Sequence, residues 1–283
     1  MDRLCEDEHP PGPGVGAEVG GGALTAAQAV LLGALQGLTE FLPVSSSAHL
    51  ALAPWAFGFR DPGLTFDVAL HLGTLVAIVV TYGRPWLEIL QGAARQPRGA
   101  SARLLALLVL ATVPAVAAGL TLENMAEDVF RDPRLIAGVL IVFGLLLGSA
   151  ERLGSRLRDW RGLGWRGFLL VGTAQALAIV PGVSRSGATI TASLLLGTTL
   201  EGSAEMSFML SAPIIAGAAV HKLRHLPLSM VTGPFVLGAA VSALTGWWAV
   251  RLFVNGLPRW GLRPYVAYRV ILGAAVFALY LTR

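Results

Sequence analysis

Two polar strings interrupt otherwise apolar sequence: Gln36-Gly-Leu-Thr-Glu40-Phe-Leu-Pro43-Val-Ser45-Ser46-Ser47-Ala-His49 and Gln175-Ala-Leu-Ala-Ile-Val-Pro181-Gly-Val-Ser184-Arg185-Ser186-Gly-Ala-Thr189. A carboxylate, an imidazole, a guanidinium and clustered hydroxyls are costly at membrane depth, so such a constellation marks a functional site. Ser46 is a candidate nucleophile, and His49, three residues on, could take its proton as a neutral imidazole. Glu40 could hold His49 in its useful tautomer and stabilise the imidazolium, or lend its carboxylate to a divalent cation. Arg185 could engage two phosphate oxygens in a fork that lysine cannot copy. Ser184, Ser186 and Thr189 would add donors for the remaining oxygens, and Gln36 and Ser45 are further candidate substrate contacts. The bland alternatives are back-bonding serines, a structural Glu40–His49 pair, and Gln175 and Ser186 as support for helix breaks.

These residues need elements that hold them inside a bilayer. The chain is 54% hydrophobic and only 13% charged, with a mean hydropathy of +0.66, which describes an integral membrane protein. Apolar segments at about 64–82, 103–122, 134–150, 203–220, 230–253 and 266–282 read as six transmembrane helices. The stretches 24–59 and 167–197 are apolar helices broken by Pro and small polar residues, and read as two re-entrant helix-loop-helix pairs. Residues 1–22 read as a disordered tail, and 23–283 as one all-α polytopic membrane domain. Cys5 is the only cysteine, which excludes an internal disulfide and a thiolate metal cluster.

The net charge of +4 sits in short loops rather than on an aromatic-studded surface, so topology explains it better than a nucleic-acid partner. Arg84, Arg95, Arg98 and Arg103 mark one cytoplasmic loop, and Arg152, Arg156, Arg158, Arg161 and Arg166 another. Glu123, Glu127, Asp128 and Asp132 place the loop between them outside. Arg259 and Arg263 then fall inside, with Lys222 and Arg224 as an exception. On this topology the two broken pairs enter from opposite faces.

An ungapped offset of 139 positions aligns Gln36 with Gln175, Val44 with Val183, Ser45 with Ser184 and Ser47 with Ser186. The expectation is an inverted-topology repeat, with halves at about 23–150 and 165–283, whose broken helices meet near the midplane. Ser46 and Arg185 occupy equivalent positions and would face each other. Two helix N-termini pointing inward would add to the charge of Arg185 and favour an anion, for which phosphate fits best. Asp67 and His71, one turn apart, read as a mutual structural hydrogen bond or a buried pair near the site. Trp247, Trp248, Trp260 and Tyr265 read as interface anchors, and His221, Lys222 and His225 as a solvated helix end.

Gln-x-x-x-Glu followed by Pro-Val-Ser-Ser-x-x-His, with a later Pro-Gly-x-Ser-Arg-Ser-x-x-Thr, resembles the undecaprenyl-diphosphatase family of bacitracin-resistance type. The resemblance covers about residues 24–283 and includes Phe66-Asp67-Val68 and Ser207-Phe208. It implies hydrolysis of undecaprenyl diphosphate to the monophosphate and inorganic phosphate at the outer face of the bacterial cytoplasmic membrane, recycling the lipid carrier of cell-wall synthesis. It also implies a divalent cation, magnesium or calcium. Carried over, Ser46 is the nucleophile, His49 its acid/base partner, Glu40 the orienting or metal-binding carboxylate and Arg185 the diphosphate anchor. Ser184 and Thr189 support the phosphate, and an activated water in place of Ser46 stays open. Gln36 stands at the first position of the acidic motif, leaving Glu40 its only carboxylate. The expected partners are a polyprenyl diphosphate and the bilayer, without nucleic acid, and the assembly is left open between monomer and homodimer. The rival reading is a polyprenyl-phosphate carrier, since inverted repeats with broken helices are also a transporter design.

Overall fold

The computed structural model describes residues 24–122, 130–224 and 231–282, and within them every regular element is helical. The tail with Cys5, the acidic residues Glu123, Glu127 and Asp128, His225 and the Lys222 side chain lie outside the described residues. Six helices are long and apolar enough to cross a membrane: α3 (Leu64–Arg95), α4 (Ala100–Thr121), α5 (Pro133–Leu153), α8 (Leu200–Leu223), α9 (Gly233–Trp260) and α10 (Arg263–Leu281). Asp132 caps α5 with its side chain, and Pro133 follows at the first helical position, where a missing N–H is harmless.

The expected span at 64–82 is the one whose end differs most. α3 continues through Arg84 and Pro85 to Arg95, so Arg84 and Arg95 are helical rather than loop residues. Polar residues do not stop a helix once it leaves hydrocarbon, and Arg84 pairs with Glu88 one turn on at 3.2 Å. At 32 residues, α3 is about 48 Å long, well beyond a core of about 30 Å.

The other four α-helices come as two pairs: α1 (Ala26–Glu40) with α2 (Ser46–Phe57), and α6 (Trp165–Ala176) with α7 (Arg185–Leu195), and short 3-10 turns lie at Trp160–Gly162 and Leu177–Ile179. None exceeds 15 residues, too few to cross a core of about 30 Å. Between α1 and α2 the chain breaks at Pro43 and Ser45, and between α6 and α7 at Pro181, Gly182 and Ser184. Ser45 and Ser184 have φ of 73° and 71°, a left-handed geometry that is uncommon outside glycine. Each directly precedes the helix that carries a reactive side chain.

α1 packs along α9 and α3, α6 along α4, and α5 along α10, while α7 sits among α5, α6 and α8. Close approach depends on missing side chains. A Cβ on Gly33 would lie 2.5 Å from the Gly238 carbonyl of α9, and one on Gly172 would lie 2.3 Å from the Ala111 carbonyl of α4. Gly33 and Gly172 are themselves 139 positions apart. Gly172→Ala is expected to destabilise the fold by about 1–3 kcal/mol by forcing these helices apart, measured as a lowered Tm in detergent. An unchanged Tm would mean that the α4–α6 contact is looser than described.

Under the breaks lies an aromatic chain. Phe41 meets Phe208 edge-on at 6.0 Å, Phe208 meets Phe253 at 5.8 Å, and Phe253 meets Tyr265 at 5.3 Å. It ties the first break to α8, α9 and α10, a rigid floor for the site. Tyr265 is partly buried against this chain of rings, whereas Trp248 and Trp260 are exposed.

Candidate active site

Glu40 closes α1, and its carboxylate organises the break. Ser46 Oγ donates to Oε2 at 2.6 Å, Gln36 Nε2 donates to the same oxygen at 3.1 Å, and Arg185 Nη2 donates to Oε1 at 2.7 Å. Glu40 and Ser46 are 6% and 8% exposed, so the carboxylate is buried but compensated. The helix ends explain why it resides there. α1 presents its negative end, but α2 and α7 begin beside it with their positive ends, and Arg185 adds a full charge. Ser46 and Arg185, at equivalent positions in the two strings, therefore meet on opposite oxygens of one carboxylate.

The surrounding hydroxyls stitch the two breaks together. Ser45 Oγ accepts from Gly182 N at 2.9 Å, and Ser186 Oγ donates to the Leu42 carbonyl at 3.0 Å. Ser45 and Ser47 lie 3.3 Å apart, and their counterparts Ser184 and Ser186 lie 3.2 Å apart. Ser184 caps α7 through Gly187 N, and Thr189 Oγ1 donates to Ser207 Oγ at 2.8 Å. Arg185 Nη1 donates to the Ser207 carbonyl at 3.1 Å. Gln36, Ser45, Ser184, Ser186 and Thr189 are all buried. In this arrangement Gln36 Nε2 and the serine and threonine hydroxyls are engaged by protein, so substrate contacts by them require these bonds to exchange, whereas the buried Gln36 Oε1 has no hydrogen-bond partner.

The histidines are arranged otherwise than expected. His49 Nδ1 lies 2.7 Å from the Ser45 carbonyl, one helical turn earlier, and Nε2 lies 2.6 Å from Tyr268 Oη. A carbonyl can only accept, so Nδ1 carries the hydrogen and neutral Nε2 accepts from the tyrosine. Both ring nitrogens are thus occupied, and neither the Ser46–His49 nor the Glu40–His49 hydrogen bond forms. The imidazole beside Glu40 is His71, with Nε2 3.5 Å from Oε2. Its Nδ1 donates to the Asp67 backbone carbonyl at 2.6 Å, while the Asp67 carboxylate accepts from Arg131 at 2.5 Å. Asp67 and His71 are thus joined by a structural hydrogen bond, as expected, but through the Asp67 backbone carbonyl, while the Asp67 carboxylate pairs with Arg131, which also pairs with Asp61.

The partner of Ser46 is consequently Glu40, reached across the break, rather than His49 along its own helix. Tyr268 and Arg269 also bear on the site. Arg269 was recoverable: it is a lone arginine inside an apolar span, the same signal that singles out Arg185. Tyr268 and His71 had no such signal, because an aromatic near a span end and a histidine one turn from an aspartate are ordinary there.

Among the described residues no group of three or more His, Cys, Asp or Glu side chains is arranged to hold a metal ion. Glu40 is the one carboxylate at the breaks, and both its oxygens carry hydrogen bonds. The donor set does not form a protein cage. Glu40 could approach a cation only by giving up one of these hydrogen bonds.

The model of the family described as "Bacitracin resistance protein BacA" matches residues 29–275. A protein of Moorella thermoacetica named undecaprenyl-diphosphatase is 45% identical over 260 residues, covering 92% of this chain and all of the relative. A protein of the same name from Geobacter sulfurreducens is 46% identical over 264 residues, covering 90% of this chain and 98% of the relative. One from Pelotomaculum thermopropionicum is 45% identical over 256 residues, covering 90% and 97%. With a match across nearly the whole described domain, and with both polar strings inside it, the chain belongs to the bacitracin resistance protein BacA family.

Proposed function

We propose that this chain hydrolyses undecaprenyl diphosphate to undecaprenyl phosphate and inorganic phosphate, and that the centre is Ser46, Glu40 and Arg185. The observation that carries the proposal is Ser46 Oγ donating to Glu40 Oε2 at 2.6 Å while Arg185 holds the other oxygen. A hydroxyl bound to a base, beside a guanidinium and two helix N-termini, suits attack on phosphorus.

In this mechanism Arg185 takes the terminal phosphate with its remaining N–H groups, and the amides opening α2 and α7 receive charge on its equatorial oxygens. Ser46 Oγ bonds to the terminal phosphorus as Glu40 takes its proton, and the bridging P–O bond breaks to release undecaprenyl phosphate. Water then attacks the phosphoserine as the Oγ–P bond breaks and Glu40 returns its proton to Ser46 Oγ; the attacking water keeps both protons, and the phosphate leaves as dihydrogen phosphate, which loses its further proton to solvent. His49, held by Ser45 and Tyr268, supports the start of α2 and stands ready to exchange its bond to Tyr268 for one to substrate. Glu40 is the one protein carboxylate that would hold a divalent cation, magnesium or calcium, and such a cation would supply charge neutralisation to the diphosphate.

We also read the two broken pairs as re-entrant from opposite faces, in an inverted repeat. Support comes from matching left-handed serines, matching hydroxyl pairs, and the matched glycines that seat α1 on α9 and α6 on α4. The arginine-rich turns argue for a topology that puts those turns in the cytoplasm, and the family resemblance implies a site open to the outer face. No observation favours a carrier.

Release of inorganic phosphate from undecaprenyl diphosphate by purified protein in detergent tests the reading, since transport has no second compartment there. Absence of release, with and without added magnesium or calcium, would refute it. Arg185→Lys is expected to lower kcat/KM by about 10²-fold, because an ammonium cannot hold Glu40, Ser207 and two phosphate oxygens at once. Near-normal kinetics would remove Arg185 as anchor.

A further inference from the structure

Two irregular turns at membrane depth leave backbone carbonyls that helices would have satisfied, and such groups must find donors inside the protein. One side chain answers this for both breaks. Arg269 of α10 is 0% exposed. Its Nη1 donates to the Pro43 carbonyl at 3.1 Å and to that of Val183 at 3.2 Å, and its Nη2 donates to the Gly182 carbonyl at 2.5 Å. Its Nε donates to the Leu140 carbonyl of α5 at 3.2 Å. All these acceptors are backbone oxygens.

Pro43 lies three residues before Ser46, and Val183 lies two before Arg185. The guanidinium therefore grips the first break just upstream of the nucleophile and the second just upstream of the anchor. Its seat is shaped for it. A Cβ on Gly144 would meet Arg269 Cβ at 3.1 Å, and one on Gly187 would meet Nη1 at 3.0 Å. The neighbouring Tyr268 holds His49 at 2.6 Å, so consecutive residues of α10 reach both breaks and the start of α2.

We infer that Arg269 is a positioning residue that locks the two broken helices to each other and so sets the separation of Ser46 and Arg185. The planar fork matters, because the carbonyls lie in different directions around it. An ammonium, with three donors on one atom, can hold one break or the other. A misplacement of about 1 Å between reacting groups can cost about 10²-fold in rate.

The test compares wild type, Arg269→Lys and Gly144→Ala in detergent, by hydrogen exchange, thermal unfolding, and kcat and KM for phosphate release. The inference rests on the phosphatase reading only in its kinetic arm, and exchange tests it independently. In Arg269→Lys, segments 42–47 and 182–187 should exchange faster together, while α4 keeps its protection and the Tm moves by a few degrees. Its kcat should fall by about 10²-fold with KM within about threefold, since Arg185 still binds substrate. Gly144→Ala, which presses on Arg269 without touching either break, should shift the same two segments in the same direction with a smaller loss of kcat. Unchanged exchange at either segment in folded Arg269→Lys would overturn the inference, as would wild-type kcat. If Arg269→Lys unfolds, Gly144→Ala decides alone: faster exchange confined to both breaks supports the lock, and unaltered or global exchange refutes it. Inactive wild-type protein would refute the phosphatase reading and leave the exchange result to judge the lock.

Discussion

Ser46→Ala is expected to lower phosphate release by at least about 10³-fold while leaving substrate binding nearly intact. The methyl group removes the nucleophile and the 2.6 Å hydrogen bond to Glu40, but not the Glu40–Arg185 pair at 2.7 Å or any contact between the breaks. Arg185 and the two helix N-termini remain to take up the diphosphate. The loss should therefore fall on kcat, with KM or Kd changed by less than about fivefold. Retention of more than a tenth of wild-type turnover would remove Ser46 as nucleophile and leave an activated water in its place.

Glu40→Gln should be as damaging, and to stability as well. The amide cannot take the Ser46 proton, and it leaves the guanidinium of Arg185 buried without a counter-charge. Breaking a buried pair from one side costs about 3–5 kcal/mol, and the lower end is expected because the amide oxygen still accepts a hydrogen bond. Adding Arg185→Gln should recover stability, by removing the unpaired charge, without recovering turnover. Recovery of both would make Glu40 a counter-ion and not a base. The divalent-cation titration of Glu40→Gln, read on its residual activity, separates a third role: an unchanged profile argues against cation contact.

Much of the architecture was legible because membrane physics writes plainly. Uninterrupted apolar runs located all six spans, most within a few residues, except where α3 continued through Arg84 and Pro85 to Arg95 and α9 ran on to Trp260. Both breaks were legible from Pro43, Pro181 and Gly182 among small polar residues. The approach of Ser46 and Arg185 to one carboxylate was expected from the 139-position alignment of the two strings, which puts them at equivalent places.

The chemistry within the site was less legible, because a one-dimensional reading favours neighbours along the chain. His49 is three residues from Ser46, yet the Ser45 carbonyl lies one turn before it and takes Nδ1, and Tyr268, 219 positions away, takes Nε2. Glu40, six residues before Ser46, is nearer in space because the break folds α1 back toward α2. His71 reaches Glu40 from α3 for a similar reason: its side chain follows helix packing and not proximity to either string. Arg269 belongs to a different class of omission. A charge in a 19-residue helix was averaged away by its apolar surroundings, although buried charge is the feature that hydropathy averages conceal.

Ser46, activated by Glu40, is proposed to attack the terminal phosphorus. The stereochemical course at that phosphorus tests it most directly, using a terminal phosphorothioate of undecaprenyl diphosphate made chiral with oxygen isotopes. Attack by Ser46 followed by water inverts the centre twice, so the released thiophosphate is predicted to retain configuration. Inversion would mean one direct displacement by water and would contradict the serine route.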